Sequence, residues 1–162
     1  MSTRAAIAKP NGDGWIGRYH HFDGYPSGLG ATLWSAYHEH FRGDIKAMRA
    51  YLIDSPEASA GWSSINDRDL SQPAMWEGKG NGPLSYFVRG EAPSDPHQCS
   101  CPSPESKCDP LFIEWAYVLA DHSLIIFSAI QGKGPEGYEH RLVGQIPWDA
   151  PEPNWEKFER EG

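Results

Sequence analysis

Apolar and polar positions change their rhythm three times along this chain. Thr3 to Lys9 and Trp15 to His21 read as two strands around Pro10-Asn11-Gly12-Asp13-Gly14, whose Asn and glycines suit a tight reversal, so a β-hairpin is expected. Leu29, Leu33, Trp34, Tyr37 and Phe41 then recur at three- and four-residue spacing and share one face of a helix, which Gly43 ends. Asp44 is a good N-cap for a second helix with Ile45, Met48, Tyr51 and Leu52 as its apolar stripe, stopped by Ser55-Pro56. Across residues 54–110 the periodicity fades under Gly, Pro, Ser, Asp and Asn, and Leu84 to Val88 alone reads as a strand. Phe112 to Leu119 and Ser123 to Ile130 form the clearest hairpin, turning through Ala120-Asp121-His122 with apolar side chains on both faces, as central strands require. Arg141 to Ile146 adds a strand, and Trp155 to Glu159 a short helix.

These elements make an α+β domain: an antiparallel sheet of about four to six strands, a helix pair packed on one face, and a long irregular middle loop. At 162 residues the chain is one domain, 1–162, with a hairpin and helix pair at 1–53, an irregular excursion at 54–110, and the central hairpin, further strand and tail at 111–162.

Charge narrows the partners. The net charge is -8, with +2 on residues 1–53 and -10 on the remainder, which disfavours binding to a phosphate backbone and makes nucleic acid an unlikely partner. No run approaches the ~20 apolar residues that span a bilayer, and the N-terminus lacks a secretory apolar core, so no membrane association and a cytoplasmic location are expected. Three cysteines, an odd number, fit a reducing compartment.

The chemistry concentrates at Arg18 to Gly30. Arg18, His20, His21, Asp23 and Tyr25 supply a guanidinium, two imidazoles, a carboxylate and a phenol at a strand-to-helix junction, the types from which ligand sites and acid–base pairs are built. Strand alternation separates His20 from His21, and Asp23-Gly24-Tyr25-Pro26 has turn duties: Asp23 accepting turn N–H groups, Gly24 at positive φ, Pro26 fixing the chain direction and Ser27 capping the helix. Gly24, Gly28 and Gly30 lack the spacing of a dinucleotide loop, although an anion at the helix N-terminus is allowed on dipole grounds. His38-Glu39-His40 sits on a helix with its histidines two apart, about 200° around the axis, which reads as solvated surface rather than a zincin motif. His97, Cys99, Cys101 and Cys108 are the one set with metal-ligand types. Their spacing is atypical, so a structural zinc stands beside unpaired thiols or a Cys101–Cys108 link.

Met1-Ser2-Thr3-Arg4, Gly17-Arg18-Tyr19-His20-His21-Phe22-Asp23-Gly24-Tyr25-Pro26 and Ile113-Glu114-Trp115-Ala116-Tyr117-Val118-Leu119 resemble a family of small uncharacterised bacterial proteins, notably actinobacterial, and phage proteins. That family has a Thr-Arg start, an aromatic-Asp-Gly-Tyr-Pro element and a Glu-Tyr-x-Tyr-Val strand. The resemblance covers roughly the first fifty-five residues and the central hairpin, and implies a shared core and a phage or mobile-element accessory role. Phe22 stands where the family more often has Trp, which keeps the ring and loses the indole donor.

The chain lacks a Gly-x-Ser-x-Gly elbow, a P-loop and an EF-hand loop. The leading expectation is a non-catalytic cytosolic binding module, an accessory or counter-defence protein for a small molecule or a host protein, with its site at Arg18, His20, His21, Asp23 and Tyr25. The alternatives are a small hydrolase using a His/Asp pair at the same junction, and a zinc-stabilised interaction module. Neither cofactor nor oligomeric state is fixed by the sequence beyond that zinc option.

Overall fold

The computed structural model describes residues 3–12, 14–20, 23–54, 87–90, 98–101, 113–131 and 138–161. The fold is α+β. Seven strands, β1 (Ala5–Asn11), β2 (Gly14–His20), β3 (Phe87–Gly90), β4 (Gln98–Cys101), β5 (Trp115–Leu119), β6 (Ser123–Gln131) and β7 (Tyr138–Pro147), lie in the order β4-β3-β2-β1-β5-β6-β7. Strands β2, β1, β5, β6 and β7, of five to ten residues, make the body of the sheet, and the four-residue β3 and β4 extend it beyond β2. The expected hairpins are β1–β2 and β5–β6, and β7 follows as the expected further strand.

The sheet is mixed, since β1 and β5 pair in parallel, from Ala5 opposite Trp115 to Ala8 opposite Val118. All other pairings among the described residues are antiparallel. Two antiparallel units, β2–β1 and β5–β6–β7, are thus joined side by side. Just before the ladder, the Arg4 amide donates to the Glu114 carboxylate at 2.8 Å and the Glu114 amide donates to the Arg4 carbonyl at 3.0 Å, extending the seam by one residue pair.

The helix pair covers one face. The first helical segment, residues 26–40, runs from a π-type turn (Pro26–Gly30) through α1 (Ala31–Ser35) to a second π-type turn (Ala36–His40), which closes with the Phe41 amide on the Ala36 carbonyl at 2.9 Å. Gly43, at φ +82°, reverses the chain, and the Asp44 side chain accepts from the Ala47 amide at 3.0 Å as the N-cap of α2 (Ile45–Arg49), continued by a π-type turn (Ala50–Asp54). Leu29, Leu33, Trp34, Met48, Leu52 and Ile53 pack against Ala5, Ile7, Tyr117, Leu119, Leu124 and Ile126 in one buried cluster. Helix α3 (Trp155–Glu161) adds Trp155 and Phe158 to it. Each fully buried Leu or Ile here contributes about 1.5–3 kcal/mol of transfer free energy.

The opposite face holds a second cluster of Ala6, Ala8, Trp15, Ile113, Ala116 and Val118, as the two-sided apolar strands foretold. Small residues set the fit between β1 and β2. A Cβ on Gly17 would collide with the Ile7 carbonyl oxygen. No helix among the described residues is long and apolar enough to cross a membrane.

Candidate functional site

The Arg18–Gly30 stretch is a joint built to close tolerances. Gly24 donates its amide to the Thr3 carbonyl at 3.0 Å, and its own carbonyl accepts from the Tyr117 hydroxyl at 2.5 Å. A Cβ on Gly24 would lie 2.7 Å from both the Ala5 Cβ and the Thr3 carbonyl oxygen, so the position is glycine for want of space. The left-handed residue of this turn is Asp23, at φ +53°, which corrects the expectation that Gly24 takes that role; Asp tolerates the region better than most side chains. Pro26 opens the helical segment through a trans bond, with Tyr25 as the capping residue.

Ser27 is not the cap. Its amide and hydroxyl both donate to Glu159 Oε1, at 2.8 Å and 2.5 Å, so a carboxylate from α3 holds the positive end of the segment. The protein's own anion takes the place that dipole reasoning reserves for an anionic ligand. Glu159 also acts on Tyr117. Burial, first, and the Glu159 charge, second, push the Tyr117 phenol well above its ordinary value, and it stays a neutral hydrogen-bond donor.

The sequence-derived residues differ in burial. His20 is buried at 2% exposure, whereas Asp23 and Tyr25 are exposed on the rim of the joint. Arg18 holds the register position opposite Ile7, and His21 lies outside the described residues. Of the proposed zinc ligands, Cys99 and Cys101 occupy strand β4, opposite Arg89 and Phe87, while His97 and Cys108 lie outside the described residues. No group of three or more His, Cys, Asp or Glu among the described residues is placed to hold a metal ion.

A cleft of about 420 Å³ opens elsewhere, lined by Tyr37, Asp121, His122, Pro147, Trp148 and Asp149. Three elements meet there: the second π-type turn, the β5–β6 reversal and the end of β7. The β6–β7 register brings Ser123 opposite Pro147, and one step further the Trp148 amide donates to the His122 carbonyl at 3.0 Å. The Trp148 indole N–H donates to the Ala120 carbonyl at 3.0 Å, and its ring stacks on Tyr37 with centroids 4.0 Å apart and planes within 12°. His38 spans the same gap, Nδ1 at 2.9 Å from the Trp34 carbonyl and Nε2 at 2.7 Å from the Trp148 carbonyl; a protonated ring donates to both, a neutral ring to one. Arg49 completes the frame, with Nε donating to the Leu119 carbonyl at 2.7 Å and Nη1 to Asp121 Oδ1 at 2.8 Å.

Two sets of polar groups result. His38, Arg49 and the Trp148 indole are committed to carbonyls and to one carboxylate oxygen, and they fix the walls. The Tyr37 hydroxyl, the His122 ring, the Asp149 carboxylate and Asp121 Oδ2 make no hydrogen bond within the described fold, and they sit on the lining. The hydrogen bond and charge of Arg49 hold the Asp121 carboxyl below its usual range, with smaller help from His122 and Lys46, so Asp121 is an anion at neutral pH. Convergent uncommitted polar groups beside an aromatic wall on a rigid frame are the usual makings of a ligand site.

The sequence hides this site because its members have other local roles. Tyr37 belongs to the helix stripe, Asp121 and His122 to a hairpin turn, and Trp148-Asp149 to the chain after a strand. The usable signal was Trp148, a large ring placed directly after a strand and before the Pro-rich 151–153. Compared with family models, curated proteins and solved structures, the chain matches none of them.

Proposed function

We propose that this chain is a non-catalytic binding module, cytosolic and serving as a phage or mobile-element accessory protein, whose ligand site is the Tyr37–Trp148 cleft. The observation that carries this reading is the division of labour within the cleft: each frame group is engaged by the fold, and the lining groups make no hydrogen bond among the described residues. Its size, about 420 Å³, suits a small molecule or a single side chain of a host protein. The Arg18–Tyr25 joint then serves to hold the helical segment that carries Tyr37.

Saturation-transfer NMR with a fragment set of cations, anions and neutral heterocycles tests this. Fragments that bind the wild-type protein should lose binding in Tyr37→Ala, with circular dichroism checking that the variant keeps its fold. Unchanged fragment binding in a folded Tyr37→Ala protein, or no binding to the wild type, overturns the assignment.

A further inference from the structure

We infer that His38 is a proton-operated clasp, which as an imidazolium ties the first helical segment to the chain after β7 and on losing its proton lets one of its two ties go. The two contacts of the ring carry the inference. Nδ1 lies 2.9 Å from the Trp34 carbonyl oxygen, one helical turn back, and Nε2 lies 2.7 Å from the Trp148 carbonyl oxygen, 110 residues away. Both partners are backbone carbonyls, which only accept, so neither can turn a donor toward the ring. A neutral imidazole has a single N–H, and its second nitrogen then sets a lone pair against a carbonyl lone pair at hydrogen-bond distance. An imidazolium donates to both, and bonds from a charged donor are the stronger kind.

The surroundings admit the charge. His38 is exposed, so the imidazolium keeps part of its hydration, and the Trp34 and Tyr37 rings lie beside it with centroids 4.6 and 4.9 Å away. The elements that meet at this corner carry titratable and charged groups of both signs: Glu39 and His40 on the same segment, Lys46 and Arg49 on α2, Asp121 and His122 on the β5–β6 reversal, Asp149 after β7 and Glu152 before α3. Arg49, Lys46 and His122 all act on Asp121, and Glu152 accepts from the Trp155 indole. With the signs mixed, the two carbonyls decide which form of the ring fits.

The clasp acts at a corner of the chain. The Trp148 amide and indole hold the β5–β6 reversal, whereas its carbonyl is bonded from the helical segment, just ahead of the Pro-rich stretch that leads to α3. The unfolded chain does not hold the two carbonyls in place. The His38 contribution to stability is therefore present below about pH 6.5, the ordinary range of histidine, and is lost as the pH rises toward 8, whatever occupies the cleft.

The test is an NMR titration of the full-length chain between pH 5.5 and 8.5, following the nitrogens of the His38 ring and the carbonyl carbon of Trp148. Both should move together, with two protons on the ring at the acid end and one at the alkaline end. Urea unfolding of the wild type and of His38→Gln, whose amide has no proton to lose in this range, gives the energetic side. The folding equilibrium constant of the wild type relative to His38→Gln should be about fivefold higher at pH 5.5 than at pH 8, the worth of one hydrogen bond. The same pair compared in a His122→Gln background keeps the titration of the neighbouring imidazole out of the difference. A Trp148 carbonyl that does not follow the His38 ring, or a wild-type to variant ratio that stays constant from pH 5.5 to 8, overturns the inference. If His38→Gln does not fold, the wild-type titration decides by the first of these criteria.

Discussion

The hydroxyl of Tyr117, on the central strand β5, donates to the carbonyl of Gly24 at 2.5 Å, across 93 residues of sequence. Through this bond the sheet grips the joint that leads into the first helical segment. Tyr117→Phe keeps the ring, removes the donor and leaves the Gly24 carbonyl without this partner, which should cost about 1–3 kcal/mol in urea unfolding at neutral pH.

The same phenol sets an alkaline limit. Its folded value is raised by burial, so the unfolded chain releases this proton first, and stability present below about pH 10 is lost as the pH climbs toward the folded value. Between about pH 9.5 and 11 the wild-type stability should fall more steeply than that of Tyr117→Phe. Parallel curves would show that Tyr117 does not carry the difference.

Glu159 closes the start of the helical segment by accepting from the amide and the hydroxyl of Ser27. Glu159→Ala should cost about 0.5–2 kcal/mol, the range of a lost N-terminal cap, and Glu159→Gln, which keeps an acceptor oxygen, should restore part of it. Thermal unfolding of the two variants separates the acceptor from the charge. Equal losses would assign the whole effect to the charge.

Trp148 serves as wall and as tie. Trp148→Phe preserves a ring to stack on Tyr37 but removes the bond to the Ala120 carbonyl, for an expected loss of about 0.5–1.5 kcal/mol. Trp148→Ala removes both and should cost about 3–5 kcal/mol, as for other buried rings. The Ala120–His122 amides should exchange faster with solvent in both variants.

Asp121 gives the acid counterpart. Its carboxyl is held low by Arg49, so its contribution is present above the ordinary unfolded value near 4 and is lost as the pH falls through the lower folded value. Asp121→Asn should have a shallower acid limb than the wild type below about pH 4.5 in a denaturant series. The pair is solvent-exposed on the Asp121 side, and the effect should shrink at high salt.

The architecture was legible wherever one short rule decided the outcome. Short apolar runs with turn residues between them mark the hairpins, the Leu29–Phe41 stripe marks the first helical segment, and Asp44 caps α2 as its position demands. The parallel β1–β5 pairing was not legible, because partner choice between distant strands depends on two surfaces that local pattern does not encode. Nor were the π-type turns, since a helical stripe is nearly the same whether the backbone closes on the fourth or the fifth residue. At the joint, Gly24 is glycine for lack of space and not for a positive φ. Turn chemistry suggested a positive φ at Gly24, where crowding by Ala5 and Thr3 is the reason, and that crowding exists only once Thr3 and Ala5 are beside it. The cleft escaped for a related reason. Asp121, His122 and Trp148 are brought together by the β6–β7 register, and the chemistry of a hairpin turn gives no sign of which loop will lie beside it.

The β1–β5 seam also dates the fold in the life of the chain. Strand β1 is synthesised before its parallel partner, which begins at Trp115, more than a hundred residues later. At synthesis rates of about 5–20 residues per second, the β1–β2 hairpin waits roughly 5–20 s with one edge and its apolar face uncovered by the second half of the sheet. For that interval the β1 edge, whose first four residues are three alanines and one isoleucine, stands without its parallel partner.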